Sequence, residues 1–242
     1  MLIEYIILSG IIIFAGFLVF GLTGFGNGLV MLPFLLLFIS PKFIIPVSCL
    51  LGSFAVFYLA IRLWKKSNKK LFLRMIVGAI VGIIIGTYGL IILKGDIIRH
   101  VFAGIILLFA LQILFERQQL QVRNMPRIVG LLVGLGAGIT GALFGMGGPP
   151  VVWYVSRQTM DKEEFRATLV TFFSFTSIWT LATYMYGGLF TREVLLFSVY
   201  MLPAVILGTL VGNLLHIKIN QILFRRVIAI ILLGASACLF WT

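Results

Sequence analysis

The stretch Gly138-Ile-Thr-Gly-Ala-Leu-Phe-Gly-Met-Gly-Gly-Pro-Pro150 sets five glycines and two prolines inside otherwise continuous apolar sequence. Glycine frees the backbone, and proline at the first helical position costs no hydrogen bond. The stretch therefore predicts a break in a membrane helix, followed by a new helix that begins at about Pro149. The N-terminus of that helix carries unpaired N–H groups and a partial charge of roughly +0.5, which favour an anion.

The composition around this stretch is that of an integral membrane protein. Of 242 residues, 61% are hydrophobic and 11% are charged, and the mean hydropathy is +1.17. Several apolar runs reach the roughly 20 residues that a membrane-spanning helix needs, and the alternating pattern of a membrane β-barrel is absent. The net charge of +12 comes from Lys and Arg in short connections between these runs. Such residues indicate topology and lipid contacts rather than nucleic acid.

The apolar runs predict ten helical segments in an all-α polytopic fold. The second and seventh segments follow glycine-rich breaks and cover only roughly 20 Å and 14 Å, against a hydrocarbon core of about 30 Å. The predicted segments are residues 3–22, 28–40, 43–63, 71–93, 97–116, 127–143, 149–157, 165–187, 191–213 and 221–241.

The distribution of basic residues indicates how the two short segments are arranged. If both turn back as hairpins, fifteen Lys and Arg residues fall on one side of the membrane and four on the other. If both cross instead, the division is ten against nine. Because basic residues accumulate on the cytoplasmic side, we expect two hairpins, with both termini outside.

An internal repeat relates the two breaks. Gly21-Leu-Thr-Gly24 matches Gly138-Ile-Thr-Gly141, and Gly24-Phe-Gly-Asn-Gly28 matches Gly145-Met-Gly-Gly-Pro149. The repeat predicts two halves, residues 1–121 and 122–242, each opening with a glycine-broken helical hairpin. Each half has five segments, an odd number, so the second half is inverted relative to the first. In transporters with inverted repeats the substrate lies between discontinuous helices near the midplane.

The polar residues suit an anion better than a cation. No Asp or Glu lies deep in a predicted segment, whereas proton- and cation-coupled transporters usually keep a carboxylate there. His100 and His216 have no metal-ligand spacing, so we expect neither a metal nor a cofactor. The sequence offers no nucleophile–base pair or phosphate loop, which disfavours an enzyme.

Three glycines spaced by four, Gly78, Gly82 and Gly86, predict a face on which two helices pack closely.

The candidate substrate-binding residues come from the two breaks and from the helices that follow them. Arg166 has three open roles: a cytoplasmic anchor, an ion pair with Glu163, or a place on the anion path. The full candidate set is Thr23, Gly24, Phe25, Gly26, Asn27, Gly28, Ser48, Thr140, Gly145, Met146, Gly147, Gly148, Pro149, Arg166, Thr168 and Thr171.

The breaks resemble those of the sulfite exporter TauE/SafE family of bacterial membrane proteins. The resemblance rests on GLTGFGNGLVMLP at residues 21–33, on its partner at residues 138–150, and on Phe165-Arg-Ala-Thr168. It implies export of sulfite, sulfoacetate or another small sulfur oxyanion or organosulfonate across the bacterial cell (plasma) membrane. Asn27 departs from the family pattern, since a third small residue is common there. So does the segment of residues 44–53, whose only hydroxyls are Ser48 and Ser53.

Three functions remain open from the sequence. The first is a transporter for a small anion bound between the N-termini of two short helices. The second is an anion channel with the same breaks as its filter, and the third is a non-transport membrane scaffold with glycine-mediated packing. The expected partners are the anion and membrane lipid, without nucleic acid, and a homo-oligomer is left open.

Overall fold

A computed structural model describes residues 2–115, 125–215, 232–234 and 236–239. Within these ranges the chain is helical, and no strand occurs among the described residues. A 3₁₀ turn at Trp64–Lys66 joins the third and fourth helices. The tenth predicted segment, residues 221–241, lies largely outside the described residues. The helices are α1 (Leu2–Thr23), α2 (Asn27–Leu35), α3 (Pro41–Leu63), α4 (Lys69–Ile92), α5 (Gly95–Phe115), α6 (Arg127–Phe144), α7 (Gly148–Val155), α8 (Lys162–Tyr186) and α9 (Arg192–Leu215).

Two helix boundaries differ from the predicted segments by about three residues or more. The second segment was expected to run to residue 40, but α2 ends at Leu35 and the chain continues in turns, with the Phe38 N–H bonded to the Leu35 carbonyl at 3.2 Å. Pro41 then holds Ser40 in an extended conformation with ψ at 142°. The eighth segment begins earlier than expected, at Lys162 rather than residue 165. Its N-cap is Asp161, whose carboxylate accepts a hydrogen bond from the Glu164 N–H at 2.7 Å.

Among the described residues, six helices are long and apolar enough to cross a membrane. These candidate spans are Glu4–Thr23, Pro41–Lys66, Lys69–Ile92, Gly95–Gln112, Arg127–Phe144 and Arg192–Leu215. Large apolar side chains such as Val77 and Ile84 of α4, and Val199 and Leu207 of α9, are exposed on the outer faces. A soluble protein rarely exposes so much contiguous apolar surface, so the protein is an integral membrane protein.

The chain reverses direction at each glycine break. Helix α2 lies along α1: a Cβ on Gly16 would come within 2.9 Å of the Met31 Cβ, and the rings of Tyr5 and Phe38 lie 5.9 Å apart. Helix α7 lies along α6 in the same manner, with the Tyr154 hydroxyl 3.1 Å from the position of a Cβ on Gly130. Each break is therefore a tight turn between a long helix and a short one.

Glycines bring two pairs of long helices into backbone contact. On α4, a Cβ on Gly78 or Gly82 would overlap the carbonyl oxygens of Leu131 or Leu135 on α6. A Cβ on Gly86 would also crowd α6, 2.6 Å from the Ile139 carbonyl oxygen. The predicted packing face is thus confirmed. Because the residue numbers of the contacting positions increase together along both helices, α4 and α6 are parallel.

The pair formed by α1 and α9 is built in the same way. A Cβ on Gly208 would lie 2.6 Å from the Phe14 carbonyl oxygen, and one on Gly212 would overlap the Leu18 carbonyl. The contact positions again rise together, so α1 and α9 are also parallel.

Helices α3 and α8 lie between these pairs and run antiparallel to each other. The Trp64 ring, at the end of α3, stacks on Phe175 of α8 at 5.6 Å, and the Asn68 N–H donates to the Thr168 hydroxyl at 2.9 Å. The start of α8 therefore lies beside the end of α3. Basic residues collect at this end of the molecule, which we call the basic end; it comprises Arg62, Lys65, Lys66, Lys69, Lys70, Arg74, Arg127, Arg157 and Lys162.

Candidate functional site

The two glycine breaks meet inside the helix bundle. A Cβ on Gly28, at the start of α2, would overlap the carbonyl oxygen of Gly145 in the second break. A cavity of about 110 Å³ lies between the two breaks and helices α3 and α8. A water molecule needs about 10–15 Å³ of such volume, so the cavity has room for a small solute.

The first break, residues 24–26, is built on left-handed glycines and on side-chain contacts. Gly24 and Gly26 have φ of 83° and 90°, a region that other residues rarely adopt. The Thr23 hydroxyl accepts a hydrogen bond from the Phe25 N–H at 3.2 Å and lies 2.6 Å from the Phe25 carbonyl. Local hydrogen bonds of this kind replace those that the helix loses where it ends.

Arg166 of α8 holds the first break from the basic end. Its Nη2 donates to the carbonyl of Gly21, in the last turn of α1, at 2.7 Å and to Oδ1 of Asn213 at 2.9 Å. Its aliphatic part lies 3.1 Å from the position of a Cβ on Gly24. Glu163, which the sequence offered as an ion-pair partner of Arg166, instead forms an ion pair with Lys66 at 2.5 Å. Arg166 therefore ties together α1, α8 and α9.

The second break, residues 145–147, is built on backbone hydrogen bonds and close packing. Gly145 has φ of 70°, and its N–H donates to the Gly141 carbonyl at 2.9 Å. The Tyr184 hydroxyl donates to the Ala142 carbonyl at 2.5 Å, and a Cβ on Gly147 would lie 2.7 Å from the Ala137 carbonyl oxygen. This break is fixed by neutral groups.

The short helices α2 and α7 open into the cavity with different numbers of hydrogen-bond donors. No side chain caps either N-terminus. The first residues of α2, Asn27, Gly28 and Leu29, each carry an N–H that has no partner within the helix. Helix α7 begins Gly148-Pro149-Pro150, and proline has no N–H. The first break therefore offers the larger number of backbone donors.

Hydroxyl groups on α3 and α8 complete the cavity wall. Ser48 is only 2% exposed, and it lines the cavity. Its Oγ lies 3.6 Å from the position of a Cβ on Gly145, so it faces the second break. Thr176 and Thr180 instead donate to carbonyls of their own helix at 3.1 Å and 2.9 Å. Ser48 is thus a hydroxyl that faces the cavity, where a ligand or water can meet it.

The cavity wall carries no formal charge among the described residues. Its remaining members are apolar, small or neutral polar groups, with Phe25, Phe172 and Phe173 the largest. No group of three or more His, Cys, Asp or Glu that could hold a metal occurs among the described residues. The positive field in the cavity therefore comes from the helix N-termini.

Nine of the sixteen candidate residues line the cavity. They are Phe25, Gly26, Asn27, Gly28, Ser48, Gly145, Met146, Gly147 and Gly148. The other seven do not line the cavity. The Thr23 and Thr140 hydroxyls contact carbonyls of their own helices, and the Thr168 hydroxyl accepts a hydrogen bond from the Asn68 N–H. Thr171 is buried with no partner among the described residues, Gly24 and Arg166 contact each other, and Pro149 follows Gly148. The part of all sixteen residues in binding stays a prediction.

The cavity also includes residues that the sequence analysis did not select. Cys49 and Gly52 come from α3, and Thr176, Ser177 and Thr180 come from α8. The spacing of 173, 176, 177 and 180 places these positions on one face of a helix. The sequence signal for Thr176, Ser177 and Thr180 is therefore a set of hydroxyls at helical spacing in the eighth segment.

Comparisons with known proteins agree on one family. The family model described as "Sulfite exporter TauE/SafE" matches residues 8–239. A curated relative from Cupriavidus necator, named "Probable sulfite/organosulfonate exporter TauE", is 28% identical over 106 residues. That match covers 44% of this chain and 41% of the relative. No solved structure matches the chain.

Proposed function

Because the chain belongs to the sulfite exporter TauE/SafE family, we propose that it exports a small anion, sulfite or an organosulfonate or another sulfur oxyanion, across the membrane. The anion binds in the cavity between the two breaks. The observation that carries this proposal is the meeting of two half-helix N-termini at a cavity that the Ser48 hydroxyl lines. Helix N-termini bind anions through their N–H groups and their partial positive charge.

The donors around the cavity suit an oxyanion. Backbone N–H groups of α2 approach from one side, and the Ser48 hydroxyl from another. The Asn27 amide also lines the cavity, and its Nδ2 lies 3.2 Å from the position of a Cβ on Gly52. Hydrogen bonds from such neutral donors to an ionised acceptor are stronger than those between neutral groups.

The two halves, residues 1–121 and 122–242, are inverted repeats in this proposal. In this repeat α1 corresponds to α6, and α9 corresponds to α4. The pair α1–α9 therefore corresponds to the pair α6–α4, and both pairs are parallel and packed on glycines. Helix α3 likewise corresponds to α8, and these two helices run antiparallel at the centre. This correspondence supports a pseudo-two-fold axis through the cavity. Alternating access then comes from rocking one half against the other.

The basic end faces the cytoplasm, and both termini lie outside. Lys and Arg accumulate at cytoplasmic ends of membrane helices, and the basic end has that composition. The interior of a bacterial cell is electrically negative, so it drives out a monovalent anion with about 2.3 kcal/mol per 100 mV. Export therefore needs no carboxylate relay in the membrane.

Flux of sulfite from proteoliposomes tests the proposal. A Cβ on Gly148 would lie 3.2 Å from the Phe25 ring, a side chain that can shift, so Gly148→Val narrows the cavity without striking backbone. Gly136→Val on α6 is the control, because nothing lies within 4 Å of a Cβ there. We expect the wild type and the control to carry sulfite, and the Gly148 variant to lose flux while remaining folded.

Three results would contradict the proposal in different ways. Equal flux through the Gly148 variant would place the anion path elsewhere. Single-channel currents would assign the cavity to a channel rather than a transporter. Absence of both flux and anion-dependent thermal stabilisation, across sulfite, thiosulfate, sulfonates and carboxylates, would favour the scaffold function.

A further inference from the structure

We infer that the cavity selects anions with a single negative charge, among them hydrogen sulfite, and rejects divalent ones such as the sulfite dianion. This inference rests on the proposed function, because it names the charge class of the substrate of that same cavity.

The positive charge of the site comes from two helix N-termini. Each contributes a partial charge of roughly +0.5, so the pair compensates at most about one negative charge. Helix α7 contributes less than α2, because Pro149 and Pro150 remove N–H groups that carry this partial charge. A second negative charge in the cavity would therefore have no counterpart.

The walls supply neutral donors and no formal charge. The Ser48 hydroxyl, the Asn27 amide and the Ser177 hydroxyl line the cavity. Neutral donors replace the hydration of an oxyanion without adding positive charge. Phe25, Phe172 and Phe173 are apolar and limit water, so an uncompensated charge is poorly solvated.

Arg166 lies beside the first break, and its Nη2 donates to acceptors outside the cavity wall. Its Nη2 bonds to the Gly21 carbonyl and to Asn213, and its stem packs on Gly24, outside the cavity wall. Its Nε is buried and has no hydrogen-bond partner among the described residues. Binding of a divalent anion would require Arg166 to leave these contacts and enter the cavity.

Two anions of the same shape and different charge test the inference on the wild-type protein. Methanesulfonate and sulfate both have a tetrahedral sulfur with four substituents and keep charges of one and two over the neutral pH range. Calorimetric titration of the full chain in nanodiscs should show methanesulfonate binding at least about tenfold more tightly than sulfate, since the second charge is uncompensated.

The other outcomes separate this inference from the proposed function. Sulfate binding as tightly as methanesulfonate would overturn the inference and leave an anion site in place. Loss of that sulfate binding in Arg166→Met would then assign the second positive charge to Arg166. Binding of neither anion would contradict both the charge selectivity and the proposed site.

A variant with one added positive charge gives a second measurement. Ser177→Lys introduces an ammonium group at the cavity wall, and Ser177→Ala controls for the loss of the hydroxyl. We expect the lysine variant to improve sulfate binding relative to methanesulfonate by about tenfold or more, since one added charge offsets the second negative charge. An unchanged ratio in a folded lysine variant would overturn the inference.

Discussion

The two glycine breaks match in sequence position but are held in place by different means. The first break relies on side chains: the Thr23 hydroxyl spans it, and Arg166 reaches it from α8. The second relies on its own backbone and on a tyrosine, with the Gly145 N–H bonded to Gly141 and the Tyr184 hydroxyl bonded to Ala142. The first break therefore depends on a charged contact and the second on neutral ones.

The breaks also differ in what they offer a ligand. The first break places Asn27 and the free N–H groups of α2 in the cavity, whereas the second places Met146 and a helix that begins with prolines. The comparison indicates that the first break supplies most of the hydrogen bonds to an anion. The second break supplies shape and part of the helix field.

The contact between the breaks is the most sensitive point of this arrangement. In Gly28→Ala the added methyl group would overlap the Gly145 carbonyl, and backbone cannot move aside as a flexible side chain can. We expect a loss of about 3 kcal/mol or more in the free energy of unfolding, seen as a large fall in the melting temperature in detergent. Gly136→Ala, in open space, should melt like the wild type. Equal melting of the two variants would show that the breaks do not touch.

The difference in anchoring is tested by removing one contact from each break. Arg166→Met removes charge-assisted hydrogen bonds, which we expect to lower stability by about 1.5–3 kcal/mol. Tyr184→Phe removes one neutral hydrogen bond from the second break and should cost about 1 kcal/mol. Thermal unfolding of both variants measures which substitution lowers the stability more. A greater loss in Tyr184→Phe would reverse the comparison.

Much of the fold followed from the sequence because membrane helices leave strong local signals. Apolar runs and the basic residues between them predicted the long helices, and the three spaced glycines of α4 predicted its packing face, which the contacts with α6 confirm. The glycine and proline clusters likewise predicted the starts of α2 and α7 to within about one residue, as expected where φ and N–H requirements are strict.

The candidate site was harder to predict because it depends on contacts between distant segments. The hydroxyls of Ser48 and Thr168 look alike in sequence, yet one lines the cavity and the other accepts a backbone N–H from Asn68. Ser177 was missed because a serine inside a helix usually bonds its own backbone. Only the packing of α3 against α8 decides which hydroxyls face the breaks.

The wall of the cavity offers a smaller and more specific change. Ser48→Ala removes a hydroxyl that lines the cavity, so we expect sulfite binding about tenfold weaker and an unchanged melting temperature. Ser53→Ala on the same helix is the matched control, because its hydroxyl bonds to the Cys49 carbonyl at 2.7 Å and does not line the cavity. Weaker binding in the control alone would exclude Ser48 as a ligand-binding group.

Calorimetric titration of sulfite into the wild type and Asn27→Asp tests the central claim most directly. The substitution keeps the size of the side chain and places a negative charge in the first break, where α2 opens into the cavity. Like charges in a poorly solvated cavity repel strongly. We predict that the wild type binds sulfite and that the folded variant does not bind it at neutral pH. Equal sulfite affinity in the two proteins would contradict an anion site between the breaks.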